Sequence, residues 1–522
     1  MGSDWPFVSI EDIAEVKSGK RLPKGNELVE HRTEFPYIRL VDVSNGRVDS
    51  ENLKFLLPKT QEKISRYIVD TDDICLAIVG HTIGMVFYID SKWSGVNLTE
   101  NAARITNVSS DFNPRYIYYY LNSSIGQNEI ISRKVGSAQG KLPLYNIKSL
   151  EIPKVPRAYQ DNVVQILDKI DSKIELNKKT NNTLEQMAQA LFKSWFVDFD
   201  PVFDNLLASV DFKLESLENR LPDNLKLKAQ RRLAVLNSLE NAAECKASLI
   251  ALAHELQALS PTKEATQAAV QILGKTAETP VKANVSANPK ILAQHANTHA
   301  HFPNEFEHNE QLGWIPKGWS ASSVEDEFVV KGGSTPSTKN PDFWEDGEIH
   351  WTSPKDLSGN TTKIMLDTSR KITPAGLKKI TSGLLPIDTV LMSSRAPVGY
   401  LALAKVPVAI NQGYIAITDA KTLSSEYTIQ WLDSVMDEIK GISGGTTFAE
   451  ISKKTFKSIQ LVIPSKKAVE AYTEVTKMYY KRITACVQEI NTLTETRDYL
   501  LPKLISGELQ IPDVVTDEKV VD

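Results

Sequence analysis

The stretch SIEDIAEVKSG, residues 9–19, is written a second time as SVEDEFVVKGG at residues 323–333. Aligned without gaps at an offset of 314, residues 5–19 and 319–333 share Trp5/Trp319, Ser9/Ser323, Glu11/Glu325, Asp12/Asp326, Val16/Val330, Lys17/Lys331 and Gly19/Gly333. Asp42 meets Asp356 at the same offset, and DDICLAIVGHTIG (from Asp72) parallels IDTVLMSSRAPVG (from Ile387). By IKSLEIPKVP (from Ile147) against FKSIQLVIPS (from Phe456) the offset has drifted to 309. Drift of that size is what loop insertions produce, and pairs that keep their order across a whole unit identify an internal duplication.

Both copies follow one grammar. Ser9 or Ser323 is placed as an N-cap with acids in the first turn of a short helix. Apolar or alternating segments such as VLMSS and YLALA then read as strands. Glycine-rich loops interrupt them: KSGKRLPKG (17–25), GHTIG (80–84) and GSAQGKLPL (136–144) in the first copy, KGGSTPSTKNP (331–341), SSRAPVG (393–399), NQG (411–413) and SGGTTF (443–448) in the second. Each copy therefore reads as a unit that mixes a short helix, strands and glycine-rich loops, two such units in tandem.

Each unit ends in a heptad pattern. Val163, Ile170, Asn177, Leu184 and Leu191 form one row, with Leu167, Ile174, Asn181, Ala188 and Trp195 four residues behind. The register recurs in Tyr472, Tyr479, Cys486, Leu493 and Leu500, backed by Ile483, Ile490 and Leu504. Two helices of about forty residues, each about 60 Å long, read as partners in a coiled coil. Asn177 and Asn181 are costly in that seam unless paired, and such polar positions fix register. The alternative is that each helix covers its own domain. Between the copies, residues 205–260 predict a helical hairpin broken near Pro222, and 261–303 read as a linker. The segments are therefore 1–157 and 313–465 for the repeated domains, 158–198 and 466–508 for the long helices, 199–312 for the insertion and 509–522 for a flexible tail.

Composition narrows the class. A chain of 522 residues with 41% hydrophobic and 24% charged residues is a soluble multidomain protein. No run of eighteen apolar residues occurs and MGSDWPF lacks the plan of a signal peptide, so a cytoplasmic location with no membrane partner is expected. Three scattered cysteines argue against a disulfide framework or a Cys-based metal site. A net charge of −5 counts against a protein that coats nucleic acid by itself, but leaves room for contact through a few loops within a larger assembly.

Several chemical motifs fail on inspection. Asn113-Pro114-Arg115-Tyr116 resembles a base-holding Asn-Pro-Pro-Tyr loop but reads better as a helix start. Gly274-Lys275-Thr276 lacks the first glycine of a phosphate-binding loop. His295, His299, His301 and His308 cluster near Glu305 and Glu307 in linker-like sequence, where a solvated loop is expected and no metal site. No catalytic constellation stands out, so no catalytic residues are expected.

The stretches KGGSTPSTKNPDFWEDGEIHWTSPKDL, VLMSSRAPVGYLALAKVPVAINQG, SGGTTFAEISKKTFKSIQLVIP and ETRDYLLPKLISGEL resemble the specificity subunit of type I restriction–modification systems. GSAQGKLPLYNIKSLEIPKVP, NTLEQMAQALFKSWFVDFDP and the re-entry LGWIPKGW agree with it. The resemblance covers both copies and leaves out about residues 205–300. It implies an α/β (α+β) fold of two tandem target recognition domains with irregular β-sheet cores, separated by two long antiparallel coiled-coil helices, a split double-stranded DNA target with one half read per domain, and no catalysis by this chain. It also implies two methyltransferase subunits that use S-adenosylmethionine, and ATP- and Mg-dependent restriction subunits in the full complex. A coiled-coil adaptor that binds proteins through duplicated modules is the alternative.

DNA contacts need Lys, Arg, hydroxyls and loop amides for phosphates, and Arg, Asn, Gln or Lys for base edges. The candidates are Lys20, Arg21, Lys24, Arg39, His81, Arg104, Gln139 and Lys141 in the first copy. In the second they are Ser334, Thr335, Lys355, Arg395, Asn411, Gln412, Thr446 and Thr447.

Overall fold

The computed structural model describes residues 5–50, 52–136, 140–218, 220–239, 241–258, 298–359, 362–395, 397–444 and 449–509. Gln139, Thr446, Thr447, Gly274-Lys275-Thr276, His295, most of the expected linker and the tail beyond 509 lie outside the described residues. The chain divides into two compact units, residues 1–176 with 489–522 and residues 177–488.

The duplication is visible in strand order. In the first unit Glu15–Ser18, Ala102–Thr106, Ile74–Ala77 and Val86–Tyr88 form an antiparallel sheet in that spatial order. In the second, Phe328–Gly332, Tyr414–Ala420, Val390–Ser393 and Leu401–Ala404 repeat the order, and Ile364–Met365 adds a parallel edge. A three-stranded sheet recurs as well. Pro36–Ile38 lies between Lys54–Phe55 and a parallel Asn97–Leu98, as Ile349–Thr352 lies between Arg370–Ile372 and a parallel Ala409–Ile410. Each copy is closed by pairing its first strand with its last, Phe7–Ser9 with Glu151–Pro153 and Ser320–Ser323 with Gln460–Ile463.

The helix starts follow from side-chain caps. Ser9 Oγ donates to Asp12 and Ser323 Oγ to Asp326, both at 2.6 Å, over turns of four residues. Asn113 accepts from the Arg115 amide at 2.9 Å with Pro114 in the first turn, so this tetrapeptide opens the helix Pro114–Asn122. Ser424 does the same for Ser425–Ser434.

The long helices are Arg157–Phe192 and Lys466–Ile505. Within the first unit their segments run antiparallel. The Tyr159 hydroxyl donates to Leu504 O at 2.7 Å, Arg497 meets Asp171 at 3.1 Å and Lys173 meets Glu489 at 3.3 Å. Within the second unit the Tyr472 hydroxyl donates to Ala188 O at 3.2 Å, and Leu184, Leu191 and Ile483 share one core. Val163, Asn177, Leu167, Ile174, Asn181, Ala188, Trp195, Tyr472, Cys486, Ile483 and Leu504 are buried, as the heptads require. Ile170 and Leu500 are half-buried. Tyr479 and Leu493 are half-buried too, and Thr476 and Tyr480 take the inward places. The buried run 472, 476, 480, 483 follows the 3.6-residue period of a straight helix, which outpaces a 3.5-residue heptad.

Polar groups sit inside this seam. Asn177 is 1% exposed and Asn181 0%, and neither end of the Asn181 amide has a hydrogen-bond partner. One turn on, burial pushes the Glu185 carboxyl above its ordinary value, although Lys363 lies 4.0 Å away and opposes the shift. Because the folded pKa is raised, this group withdraws stability as pH climbs from the ordinary glutamate value through the folded one. Glu185→Gln is therefore expected to raise the unfolding temperature of the second unit at about pH 8 and leave it nearly unchanged at about pH 4, measured by calorimetry. Equal effects at both pH values would assign the change to packing.

After Phe192 the chain passes through a wide turn, Lys193–Val197, and Phe199 at φ 61° ends it. Trp195 and Phe196 bury themselves against Phe302, Trp319 and Tyr472. The insertion folds as Asp200–Ala208, Asp223–Asn237 and Ala242–Ala258 around Phe203, Leu207, Leu225, Leu236 and Leu249. Pro222 is the cap of the middle helix.

Within the histidine cluster His299 departs from a solvated loop, while His308 is exposed. His299 is buried with its Nε2 2.9 Å from Asp204, which also receives Nε and Nη2 of Arg232 at 2.7 Å each. Burial acts to raise the Asp204 carboxyl, and the bonds from Arg232 and His299 override it and hold it low. Asn205 Nδ2 donates to the carbonyls of His299 and Phe302 at 2.9 Å. The returning chain is thus latched to the first inserted helix, and no cluster able to hold a metal occurs among the described residues. No helix among them is long and apolar enough to cross a membrane. Cys75, Cys245 and Cys486 are all free and buried.

Candidate nucleic-acid interface

The glycine that ends each quoted stretch has a steric job. A Cβ on Gly19 would lie 1.9 Å from Thr99 O, and one on Gly333 would lie 1.8 Å from Ile410 O. Only glycine allows this approach. It lets Lys20 N donate to Leu98 O and Ser334 N donate to Ile410 O, both at 3.0 Å. In each unit the loop after this glycine therefore lies against the loop that precedes the long central strand, around Thr99–Asn101 or Asn411–Gly413.

Side chains then cross between the two loops. Arg21 Nε donates to Glu100 at 2.9 Å, and Thr335 Oγ1 donates to Gln412 Oε1 at 2.8 Å. The positions are equivalent, offset by 314 for the first partner and 312 for the second. One unit builds the bridge from an ion pair and the other from a hydroxyl and an amide. Burial acts to raise the Glu100 carboxyl, but the bonds from Arg21, its own backbone and Thr99 hold it below the ordinary range.

The third part is a tight turn fixed by the aspartates that match in the alignment. Asp42 accepts from Arg39 N and Nε at 2.9 Å and from Nη2 at 2.6 Å. Asp356 accepts from Ser353 N at 2.8 Å, Ser369 N at 2.9 Å and Ser369 Oγ at 2.5 Å. Burial opposes ionisation of Asp356, and these donors outweigh it and lower its pKa. The turns are Leu40–Asp42 and Pro354–Leu357, so Val41 and Lys355 occupy the same place at their tips. In the first unit the three parts line a recess of 340 Å³ that includes Arg21, Tyr37, Arg39, Val41, Glu100 and Asn101. The Tyr37 hydroxyl donates to Lys20 O at 2.8 Å and burial pushes its pKa up to about 12.

Lys20, Arg21, Ser334, Thr335, Lys355, Asn411 and Gln412 are thereby brought together, each within its own unit. Asn411 uses its Oδ1 to accept the Gly413 amide at 2.8 Å. Lys24 is exposed on the loop just beyond. His81 and Lys141 are exposed at a second place, where Val79 pairs with Lys141. Arg395 holds the matching place in the other unit, paired through its backbone with Glu450 and 3.9 Å from its carboxylate.

Two candidates are corrected. Arg104 lies in the central strand Ala102–Thr106, 8% exposed, with Nη1 2.7 Å from Asp73, so its charge is spent inside the core. Arg39 is half-buried with its fork closed on Asp42 and Nη2 donating to Asn52 O at 2.9 Å, which makes it a turn clamp. Val41 and Glu100, one apolar and one acidic, also line the recess, and donor chemistry alone does not single them out. The Asp42/Asp356 match was the signal that marked the turn.

The type I restriction modification DNA specificity domain family matches this chain at residues 2–186 and 316–495. The specificity subunit of the HindI type I restriction enzyme from Haemophilus influenzae is 24% identical over 97% of this chain and 100% of its own length. That of the MjaIX enzyme from Methanocaldococcus jannaschii is 38% identical over 30% of this chain and 36% of its own. The crystal structure of a type I S subunit from M. genitalium covers 96% of both chains at 13% identity and a TM-score of 0.48. The two matched segments take in both copies of the three-part loop cluster and run on into the long helix that follows each, and the chain belongs to the type I restriction–modification DNA specificity family, as a specificity subunit with two target recognition domains.

Proposed function

We propose that this subunit reads a split DNA sequence, one half through residues 1–157 and the other through 313–465. The long helices, Arg157–Phe192 and Lys466–Ile505, set the number of unread base pairs between the halves, as half-site separation does in two-fold readers. The observation that carries this is the loop cluster built twice on one frame with different side chains at its reading positions: Arg21, Glu100 and Val41 against Thr335, Gln412 and Lys355.

A specificity subunit contributes recognition and leaves catalysis to modification and restriction partners. Here two methyltransferase subunits supply S-adenosylmethionine chemistry at adenine N6, and restriction subunits supply ATP- and Mg-dependent translocation and cleavage. The chain itself holds no cofactor, and the assembly acts in the cytoplasm. Lys20, Lys24, Lys141, His81 and Arg395 serve the phosphates and groove edges around the cluster, together with Gln139, Thr446 and Thr447.

Mapping methylated adenines in cells that carry the chain and its methyltransferase should return a two-part motif. Exchanging residues 313–465 for those of a relative with another target should change one half of that motif and leave the other intact. A motif without two parts, or one that survives deletion of this chain, overturns the reading.

A further inference from the structure

Val41 is 80% exposed. A lone exposed valine is ordinary on a protein surface, but three features set this one apart. Its turn is clamped by the three bonds from Arg39 to Asp42 and by the Asp49 amide, which donates to Asp42 O at 2.7 Å. It stands at the rim of the recess that holds Arg21 and Glu100. The other unit keeps the clamp and places Lys355 at the same tip, exposed as well. A frame retained in both copies with an isopropyl group on one tip and an ammonium on the other is the pattern of an interchangeable reading head.

We propose that Val41 is a base-reading residue that recognises the C5 methyl group of a thymine in the major groove of the half-site bound by the first unit. In that groove the thymine methyl is the apolar mark that separates T·A from the other pairs, and apolar side chains read it by contact. Lys355, at the equivalent tip, presents a donor suited to O6 and N7 of guanine. Arg21, 81% exposed along its side chain and bonded to Glu100, lines the same recess as Val41 and is available to the adjoining edge. The inference rests on the DNA-reading function proposed above and names one position within it.

The test uses the full chain in complex with its methyltransferase and synthetic duplexes carrying the motif mapped for the wild type. Uracil, which lacks the C5 methyl, replaces each thymine of the first half-site in turn. At one thymine the wild-type complex should lose about ten-fold in binding, the lower part of the range for a base contact. Val41→Ala should bind the thymine and uracil duplexes equally. Val41→Lys should move the preference at that position away from thymine in the methylation map and leave the second half of the motif unchanged. Indifference of the wild type to uracil everywhere, a half-site without thymine, or an equal uracil effect in Val41→Ala overturns the inference. Because the motif is mapped first, failure of the two-part reading appears at that stage and is distinct from failure at position 41.

Discussion

Asp204→Ala should lower the stability of the 177–488 unit by about 3 kcal/mol, the low end for breaking a buried charged pair. The side chain has no solvent exposure and holds both the Arg232 fork and the His299 ring. Its removal takes away the carboxylate that the Arg232 guanidinium and the His299 ring share. The cost stays near the low end because Arg232 is one-fifth exposed and keeps Asp200 at 3.3 Å. Calorimetry should show the second unit melting earlier while the first unit's transition stays in place. Replacing Asp204, Arg232 and His299 together with apolar residues of similar volume should restore most of the loss, since a buried ionic group exchanged as a set is often neutral. If the single variant costs less than about 1 kcal/mol, the latch is a surface-strength interaction.

Gly333→Ala should reduce binding of the cognate sequence about 10- to 100-fold, the equivalent of one or two lost base contacts. A methyl group 1.8 Å from Ile410 O forces the Ser334–Thr335 loop away from Asn411–Gly413 and breaks the Thr335–Gln412 bond. The methylation map should then lose stringency in the half read by the second unit alone. Gly19→Ala should do the same to the other half through Thr99 O at 1.9 Å. Gly441→Ala is the matched control, because nothing lies within 4 Å of its added Cβ and a helical alanine is slightly favourable. Loss of affinity for all DNA sequences alike in Gly333→Ala would make the loop a phosphate contact.

The duplication, the apolar strand segments and the long helices were legible because they rest on short-range signals: the Ser9 and Ser323 caps, the apolar runs at 74–77 and 390–393, and the heptads from Val163, whereas the order in which the strands pair does not. The alignment even isolated Asp42 and Asp356. What local pattern could not deliver was which charges remain available. Arg104 and Arg21 look alike in sequence, yet one is sealed against Asp73 and the other stands in solvent beside Glu100. Burial of His299 depends on Asp204 and Arg232, residues 95 and 67 positions earlier, and nothing in the composition of its own segment announces them. The seam drifted from Tyr479 to Tyr480 because the helix keeps its own pitch instead of the heptad's.

The burial of all three cysteines makes the chain a set of clocks. Cys75 sits in the first unit's sheet, Cys245 in the inserted helices and Cys486 in the second long helix. Burial raises the Cys75 thiol well above its ordinary value, so in the closed state it is both hidden and protonated. Each thiol becomes reactive when its own region opens, and the rates at which a thiol reagent consumes the three report local opening at three places in one experiment. A cysteine placed at an exposed loop tip reacts far ahead of these, which makes its protection by DNA readable without removing any native thiol.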